Sequence, residues 1–169
     1  MAVFSYPGQG KSSAIVPFVN YWLIKTEAAM YSIDDLARDK RVPWTGIRNY
    51  QARNFIRDGM KVGDLCLFYH SVAEPGIYGI AKVASKPHAD LTAQDKKDEH
   101  YDPKSTKENP IWMCVDVQFV KKFKRPVSLV ELKAERELGG MLVLAKGSRL
   151  SVMPVSERHF KYIVEKLVS

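Results

Sequence analysis

The alternation of apolar and polar residues becomes regular from residue 21 onward, and it predicts short strands separated by short helices. Strands are expected over residues 21–24, 64–70, 77–84, 112–123, 141–144 and 150–153. The strand over residues 64–70 is apolar on both faces, which is typical of a strand inside a barrel or a covered sheet. These elements predict an α+β fold, a small barrel of mostly antiparallel strands flanked by short helices.

Capping residues mark where the helices begin. Ser32 and Asp35 have the spacing of a capping-box variant, and Ser128 and Glu131 repeat that spacing. Apolar residues at helical spacing indicate two further amphipathic helices. Helices are therefore expected to begin near residues 32, 49, 128 and 156.

Two segments lack this regularity. Residues 1–20 contain no acidic residue and carry a Pro/Gly/Ser-rich stretch, so we expect a flexible leader before a domain over residues 21–169. Residues 86–110 are polar and of mixed charge, and they predict a long loop with one helical turn. A loop of this length in a small domain is often functional.

Length and composition fit one globular domain: 169 residues, 46% hydrophobic and 27% charged. No apolar run approaches the roughly 20 residues that span a bilayer, which excludes a transmembrane protein. The formal net charge of +7 favours polyanionic partners, and residues 121–136 hold six basic residues against two acidic ones. Cys66 and Cys114 lie in apolar runs, so we expect buried free thiols in a reducing compartment.

Residue types that perform catalysis or bind metals occur without a recognisable arrangement. His70 and Ser71 are adjacent in a strand and point to opposite faces, so they do not form a base–nucleophile pair. The acidic residues of the long loop alternate with lysines and lack the spacing of a metal site. The sequence therefore predicts no catalytic set, no metal site and no cofactor.

One segment, residues 43–54, combines the residue types that a nucleobase pocket needs. Trp44 lies in a loop and is followed by a basic residue and by Asn49 at the start of an amphipathic helix. Aromatic faces stack on flat rings, and side-chain amides pair with their hydrogen-bonding edges. Asn49 is equally explained as a helix N-cap, and Trp44 and Trp22 as packing in the core.

Five ordered blocks carry a family resemblance: YWLIKTE from residue 21, WTGIRNYQARN from 44, FYHS with PGI from 68, HYDP from 100, and Trp112 with VDVQFV from 115. Together they resemble the EVE domain over about residues 21–167. The first block departs from the family in having Ala28 where proline is usual. The resemblance implies a PUA-like fold, a twisted barrel flanked by helices and related to the YTH readers of methylated adenine.

The resemblance also implies a pocket for a modified base, with 5-methylcytosine and 5-hydroxymethylcytosine in DNA as the leading candidates. The residues implied to line or border this pocket are Trp22, Lys25, Trp44, Asn49, Gln51, His70 and Ser71. The residues implied to hold backbone phosphates are Arg48, Arg53, Lys121, Lys122, Lys124 and Arg125.

The implied function is a monomeric, non-enzymatic reader of modified nucleic acid that has no membrane partner and favours DNA over RNA. Two alternatives stay open at this point. One is an RNA-binding PUA-like module. The other is an enzyme, accessory factor or sensor that acts on modified nucleotides with His70 in the pocket. The resemblance implies a nuclear location in a eukaryote and a cytoplasmic one otherwise.

Overall fold

The computed structural model describes residues 18–168, so almost all of the expected leader lies outside the described residues. The strands are β1 (Tyr21–Glu27), β2 (Arg41–Pro43), β3 (Leu65–Ser71), β4 (Gly76–Val83), β5 (His88–Ala89), β6 (Met113–Cys114), β7 (Asp116–Ser128) and β8 (Val152–Val155). The α-helices are α1 (Ile33–Asp39), α2 (Tyr50–Asn54), α3 (Leu129–Ala134) and α4 (Glu157–Tyr162). Turns of π-helix extend α2 over Phe55–Gly59 and α4 over Ile163–Leu167.

Six strands form one curled mixed sheet in the order β2-β7-β4-β3-β1-β8, and β5 pairs with β6 in a separate ladder. β1 and β3 are parallel, whereas the other neighbouring strands are antiparallel. In the parallel pair Glu27 lies opposite Ser71, so the two strands end side by side. The predicted α+β fold with mostly antiparallel strands is confirmed.

Both faces of the sheet are covered, because alternate side chains of β1 and β3 enter two different hydrophobic cores. Trp22 and Phe68 belong to the core that includes residues of α1 and α2. Leu23 and Leu67 belong to the core that includes residues of α3 and α4. This double burial explains why β3 is apolar on both faces.

β1 continues to Glu27, three residues beyond the prediction. The apolar pattern stops at Ile24, but the pairing with β3 continues through the polar residues Lys25, Thr26 and Glu27. This polar end of β1 has a functional consequence, since it forms one wall of the cavity described below.

The strand predicted over residues 141–144 is wrong. Leu142–Leu144 is a 3-10 turn, closed by a hydrogen bond of 3.0 Å from the Leu144 N–H to the Met141 carbonyl. Met141 and Val143 are buried while Leu142 is exposed. Burial therefore alternates along this segment as it does in a strand, which explains why the hydrophobic pattern predicted a strand here.

The single strand predicted over residues 112–123 is divided: β6 pairs with β5 in the separate ladder, and β7 begins at Asp116 and continues to Ser128. The capping predictions hold. Ser32 with Asp35 and Ser128 with Glu131 both form complete capping boxes. Cys66 and Cys114 are buried free thiols, and burial raises the pKa of Cys114 to about 12. No helix within residues 18–168 is long and apolar enough to cross a membrane.

Candidate functional site

A cavity of about 660 Å³ opens where the parallel strands β1 and β3 end. Its volume lies within the range of small-molecule and cofactor pockets. The turn after β1, the segment after β2 and the long loop between β5 and β6 complete its walls. The lining residues are Lys25, Thr26, Glu27, Met30, Tyr31, Val42, Pro43, Trp44, Thr45, Gly46, Ile47, Ser71, Glu99, His100 and Ser151.

The polar wall is held in place by the strand ends. The Ser71 hydroxyl donates a hydrogen bond of 3.3 Å to the Thr26 carbonyl, and the Lys25 N–H donates one of 2.8 Å to the Ser151 carbonyl. Burial lowers the pKa of Lys25. Lys25, Glu27 and Ser71 thus bring ammonium, carboxylate and hydroxyl groups to this end of the two strands, where Lys25 Nζ lies 5.8 Å from the Tyr69 ring centroid.

The apolar wall is a cluster of aromatic rings that meet edge-on and are largely buried. Trp44 is only 8% exposed, and its ring meets Phe68 edge-on with 5.6 Å between the centroids. The Tyr31 ring also meets Trp44 edge-on, with 6.2 Å between the centroids, and its hydroxyl donates to Asp39 at 2.9 Å. This wall is therefore preorganised and presents a fixed apolar surface to the cavity.

The long loop reaches the cavity through His100, whose ring packs on Gly46. Gly46 has a φ of +83°, and a Cβ built there would lie 3.1 Å from His100 Nε2. Both the backbone conformation and this close approach favour glycine. Asp98 accepts the His100 N–H at 2.8 Å and lies 3.1 Å from its Nδ1, which fixes the ring orientation.

Asp90 is the buried group that joins the long loop to the segment after β2. Its carboxylate accepts hydrogen bonds from the Gly46 N–H at 2.9 Å, from Arg48 Nη1 at 2.8 Å and from the Thr92 hydroxyl at 2.6 Å. Burial alone would raise the pKa of Asp90, but the hydrogen bonds from Arg48, Thr92 and Gly46 outweigh it and lower that pKa. These bonds to Asp90 therefore hold the cavity wall formed by the long loop against the wall formed by the segment after β2.

Of the seven residues implied to line the pocket, three line this cavity: Lys25, Trp44 and Ser71. Trp22 lies in the core instead, where its indole Nε1 donates to Asp64 Oδ2 at 2.9 Å. Its position two residues from Ile24 on the α1/α2 face of β1 turns it into the interior.

The remaining three residues lie outside the cavity. Asn49 caps α2, since its side chain accepts from the Ala52 N–H at 3.0 Å, and Gln51 is exposed in the first turn of that helix. His70 is buried, accepts the Ile33 N–H at 3.1 Å and stacks on Tyr78 at 3.8 Å. These placements favour the explanation of Asn49 as a helix N-cap. The His70 ring is held by the Ile33 N–H and by the Tyr78 ring.

Arg48 and Arg53, which the resemblance implies for phosphate contacts, are occupied within the protein. Arg48 donates to Asp90, to the Thr92 hydroxyl and to the carbonyl oxygens of Ile47 and His100. Arg53 donates to the Ile111 carbonyl at 2.9 Å and lies 5.0 Å from the Tyr50 ring centroid. We therefore leave Arg48 and Arg53 out of the phosphate-binding surface.

The basic residues of β7 form an exposed cluster. Lys122 bonds to Asp34 on α1 at 2.7 Å, and Arg125 bonds to Glu131 on α3 at 2.6 Å. The bond between Lys122 and Asp34 therefore joins β7 to α1 at the protein surface. Exposed pairs of this kind are weak and exchange readily for a phosphate partner.

Several lining residues escaped the sequence analysis, notably Glu27, Tyr31 and His100. Glu27 and His100 belong to sequence blocks that carry the family resemblance, so those blocks pointed to both residues, but the sequence analysis gave neither residue a role. Asp90 was grouped with the acidic residues of the long loop, where nothing marked it as buried. Within residues 18–168 no three His, Cys, Asp or Glu side chains converge as a metal site.

Comparison with known proteins assigns the family. The family described as EVE domain matches residues 20–166. This chain belongs to the EVE domain family. Human thymocyte nuclear protein 1 is 42% identical over 164 residues, which cover 86% of this chain and 72% of the relative. Nearly all of the described fold thus lies within the EVE domain.

Solved structures share the same architecture. A hypothetical protein from Leishmania major is 48% identical with a TM-score of 0.84, covering 88% of this chain and 94% of its own. Human THYN1 in complex with 5-methylcytosine containing DNA is 38% identical with a TM-score of 0.81, covering 86% and 96%. A YTH domain of Zygosaccharomyces rouxii shares the fold alone, at 14% identity and a TM-score of 0.53. The PUA-like α+β fold is therefore confirmed.

Proposed function

We propose that this protein binds DNA and encloses a modified base of the 5-methylcytosine type in the cavity at the ends of β1 and β3, without chemistry. The proposal rests mainly on one observation: human THYN1, a relative of known structure, was crystallised in complex with 5-methylcytosine containing DNA. The cavity of about 660 Å³ supplies a space of the right class in this chain. Residence in the nucleus is part of the proposal for a eukaryotic source.

The two walls of the cavity suit the two parts of a methylated cytosine. The apolar wall of Tyr31, Val42 and Trp44 suits the ring face and the 5-methyl group. The polar wall suits the base edge, since Glu27 or the Ser71 hydroxyl oxygen can accept from the N4 amine and Lys25 can donate to N3 or O2. The proposal therefore retains Lys25, Trp44 and Ser71 and adds Glu27, Tyr31 and His100.

The phosphate-binding part of the proposal rests on the exposed cluster of β7. We assign the phosphate contacts to Lys121, Lys122, Lys124 and Arg125, in agreement with a net charge of +7. A protein held by such contacts loses affinity as salt rises, because phosphate neutralisation releases counterions.

The first test is a titration of matched single strands and duplexes that carry cytosine, 5-methylcytosine, 5-hydroxymethylcytosine or N6-methyladenine at one central position. At fixed salt we expect tighter binding to the two modified cytosines than to cytosine or N6-methyladenine. The same oligonucleotides as RNA separate the DNA reader from the RNA-binding alternative. Equal, salt-sensitive binding to every oligonucleotide would contradict a pocket that recognises modification.

Glu27→Gln is expected to weaken binding to 5-methylcytosine DNA by about tenfold, because the charge-assisted hydrogen bond to the N4 amine becomes a neutral one. The substitution preserves size and removes only the charge. Glu108→Gln is the matched control, because Glu108 is an exposed residue of the long loop outside the cavity. Fluorescence anisotropy with labelled oligonucleotide measures both variants. Unchanged affinity in Glu27→Gln would remove Glu27 from the base edge.

A further inference from the structure

The turn between β3 and β4 carries an exposed apolar side chain in an unfavourable backbone conformation. Val72 follows Ser71, which lines the cavity, and it is 76% exposed. Its φ is 70°, in the left-handed region that β-branched residues rarely adopt. Such strain persists only where the surrounding structure enforces it, and it clusters at functional positions. The fold thus holds an apolar side chain in solvent beside the cavity.

The turn is anchored at both ends. Ser71 bonds to the Thr26 carbonyl on one side, and the Tyr78 hydroxyl donates to the Glu74 carbonyl at 2.7 Å on the other. The Leu129 N–H donates to the Pro75 carbonyl at 2.8 Å. Val72 is therefore presented by a fixed support rather than by a loose loop.

Val72 also follows the cavity along the chain and precedes a second groove of about 590 Å³. That groove is lined by the basic Arg125 and Lys133 and by the acidic Glu74 and Glu131, of which Glu131 pairs with Arg125. A strand that places a base in the cavity and its phosphates along Arg125 and Lys133 has to cross the turn. Val72 is the exposed apolar side chain of the turn that such a strand would cross.

We propose that Val72 is a wedge that enters the base stack of a duplex when the target base moves into the cavity. The inference rests on the proposed function and concerns the step that function requires in double-stranded DNA. Extruding a base leaves its neighbours without a stacking partner, and apolar side chains placed between base steps fill such gaps. Met30 is also exposed but lines the cavity itself, so it contacts the enclosed base instead.

If Val72 is a wedge, Val72→Gly should lower the affinity for duplex DNA without changing the affinity for single-stranded DNA. Glycine adopts a positive φ without strain, so this variant keeps or gains stability while it loses the apolar side chain. We expect affinity for a duplex with one central 5-methylcytosine to fall about tenfold or more, and affinity for the same single strand to stay unchanged. Val72→Leu, which keeps an apolar side chain, should retain duplex binding.

Two control variants make the comparison specific. Val62 is 61% exposed near the opposite end of β3, so Val62→Gly should leave both affinities unchanged. Met30→Ala should weaken both affinities alike, because it alters the cavity. A 2-aminopurine placed beside the target base should brighten when the wild-type protein unstacks it, and it should brighten less with Val72→Gly.

The outcomes distinguish the wedge from the function on which it rests. If the wild-type protein prefers the modified base and Val72→Gly binds the duplex equally well, the wedge is overturned and the reader function stands. If the wild-type protein shows no preference in either form of DNA, the proposed function is wrong and the wedge falls with it. A loss confined to the duplex supports both.

Discussion

Replacing Asp90 with alanine is expected to lower the free energy of unfolding by about 3–5 kcal/mol, the usual effect of breaking a buried ion pair. The Asp90 side chain is fully buried, whereas the Arg48 side chain keeps 21% exposure. Removing the carboxylate leaves the guanidinium without its charge partner and deprives the Gly46 N–H of its acceptor. Urea unfolding monitored by tryptophan fluorescence measures the loss.

The same substitution should also weaken binding to DNA, because Asp90 positions Gly46, and the His100 ring packs on Gly46. Asp95→Ala is the matched control: Asp95 is exposed on the same loop, and within residues 18–168 its carboxylate accepts only a local hydrogen bond, from the Lys97 N–H. We expect that control to change stability by less than about 1 kcal/mol. A similarly small change in Asp90→Ala would show that the ion pair does not hold the two segments together.

A double-mutant cycle measures the interaction energy between Arg48 and Asp90 apart from their contacts with other residues. Combining Asp90→Ala with Arg48→Met should cost less than the sum of the two single changes, since neither charge is then left without its partner. Strict additivity of the two single effects would mean that Arg48 and Asp90 stabilise the fold independently.

The ion pair also predicts how stability depends on pH. The pKa of Asp90 is lowered in the folded protein from its ordinary value of 3.8, despite the opposing effect of burial. A carboxyl group of this kind stabilises the folded state at pH values above its unfolded pKa, and the contribution is lost as pH falls through the folded pKa. The wild-type protein should therefore lose more stability on acidification than Asp90→Ala does.

Replacing Trp22 with alanine is expected to destabilise the protein by about 3–5 kcal/mol through the loss of a large core side chain. Trp22 is 5% exposed and packs near Phe55, with 6.0 Å between the ring centroids. A Cβ on Gly59 would lie 2.7 Å from its ring, which shows how closely the π turn after α2 covers the indole. Urea unfolding measures this effect as well.

Trp22→Phe tests the position of this residue more finely. It keeps an aromatic ring but removes the N–H that donates to Asp64, at an expected cost of about 1–3 kcal/mol. Since Trp22 lies outside the cavity, DNA binding by the folded variant should be unchanged. The same change at Trp44, which lines the cavity, should weaken DNA binding. Loss of DNA binding in a stable Trp22→Phe protein would restore Trp22 to the pocket, as the resemblance implied.

The sequence alone determined the elements that depend on local pattern. Capping boxes at Ser32 and Ser128 were recognisable because the two hydrogen bonds of each box join residues three apart. The apolar run of β3 indicated a strand covered on both faces, since no polar face remained for solvent. Motif order along the chain was sufficient to indicate the family, and with it a mostly antiparallel α+β fold.

Only the tertiary structure decided which residues share the cavity. The parallel pairing of β1 with β3 places Glu27 opposite Ser71, and the buried bond from Gly46 to Asp90 brings the loop of His100 onto the same space. These contacts join residues more than 40 positions apart, and local periodicity carries no information about such pairings. Trp22 shows the converse. A tryptophan is equally suitable for lining a binding pocket and for packing in a hydrophobic core, so the residue type alone does not place it. The face of β1 on which Trp22 lies places it in the core.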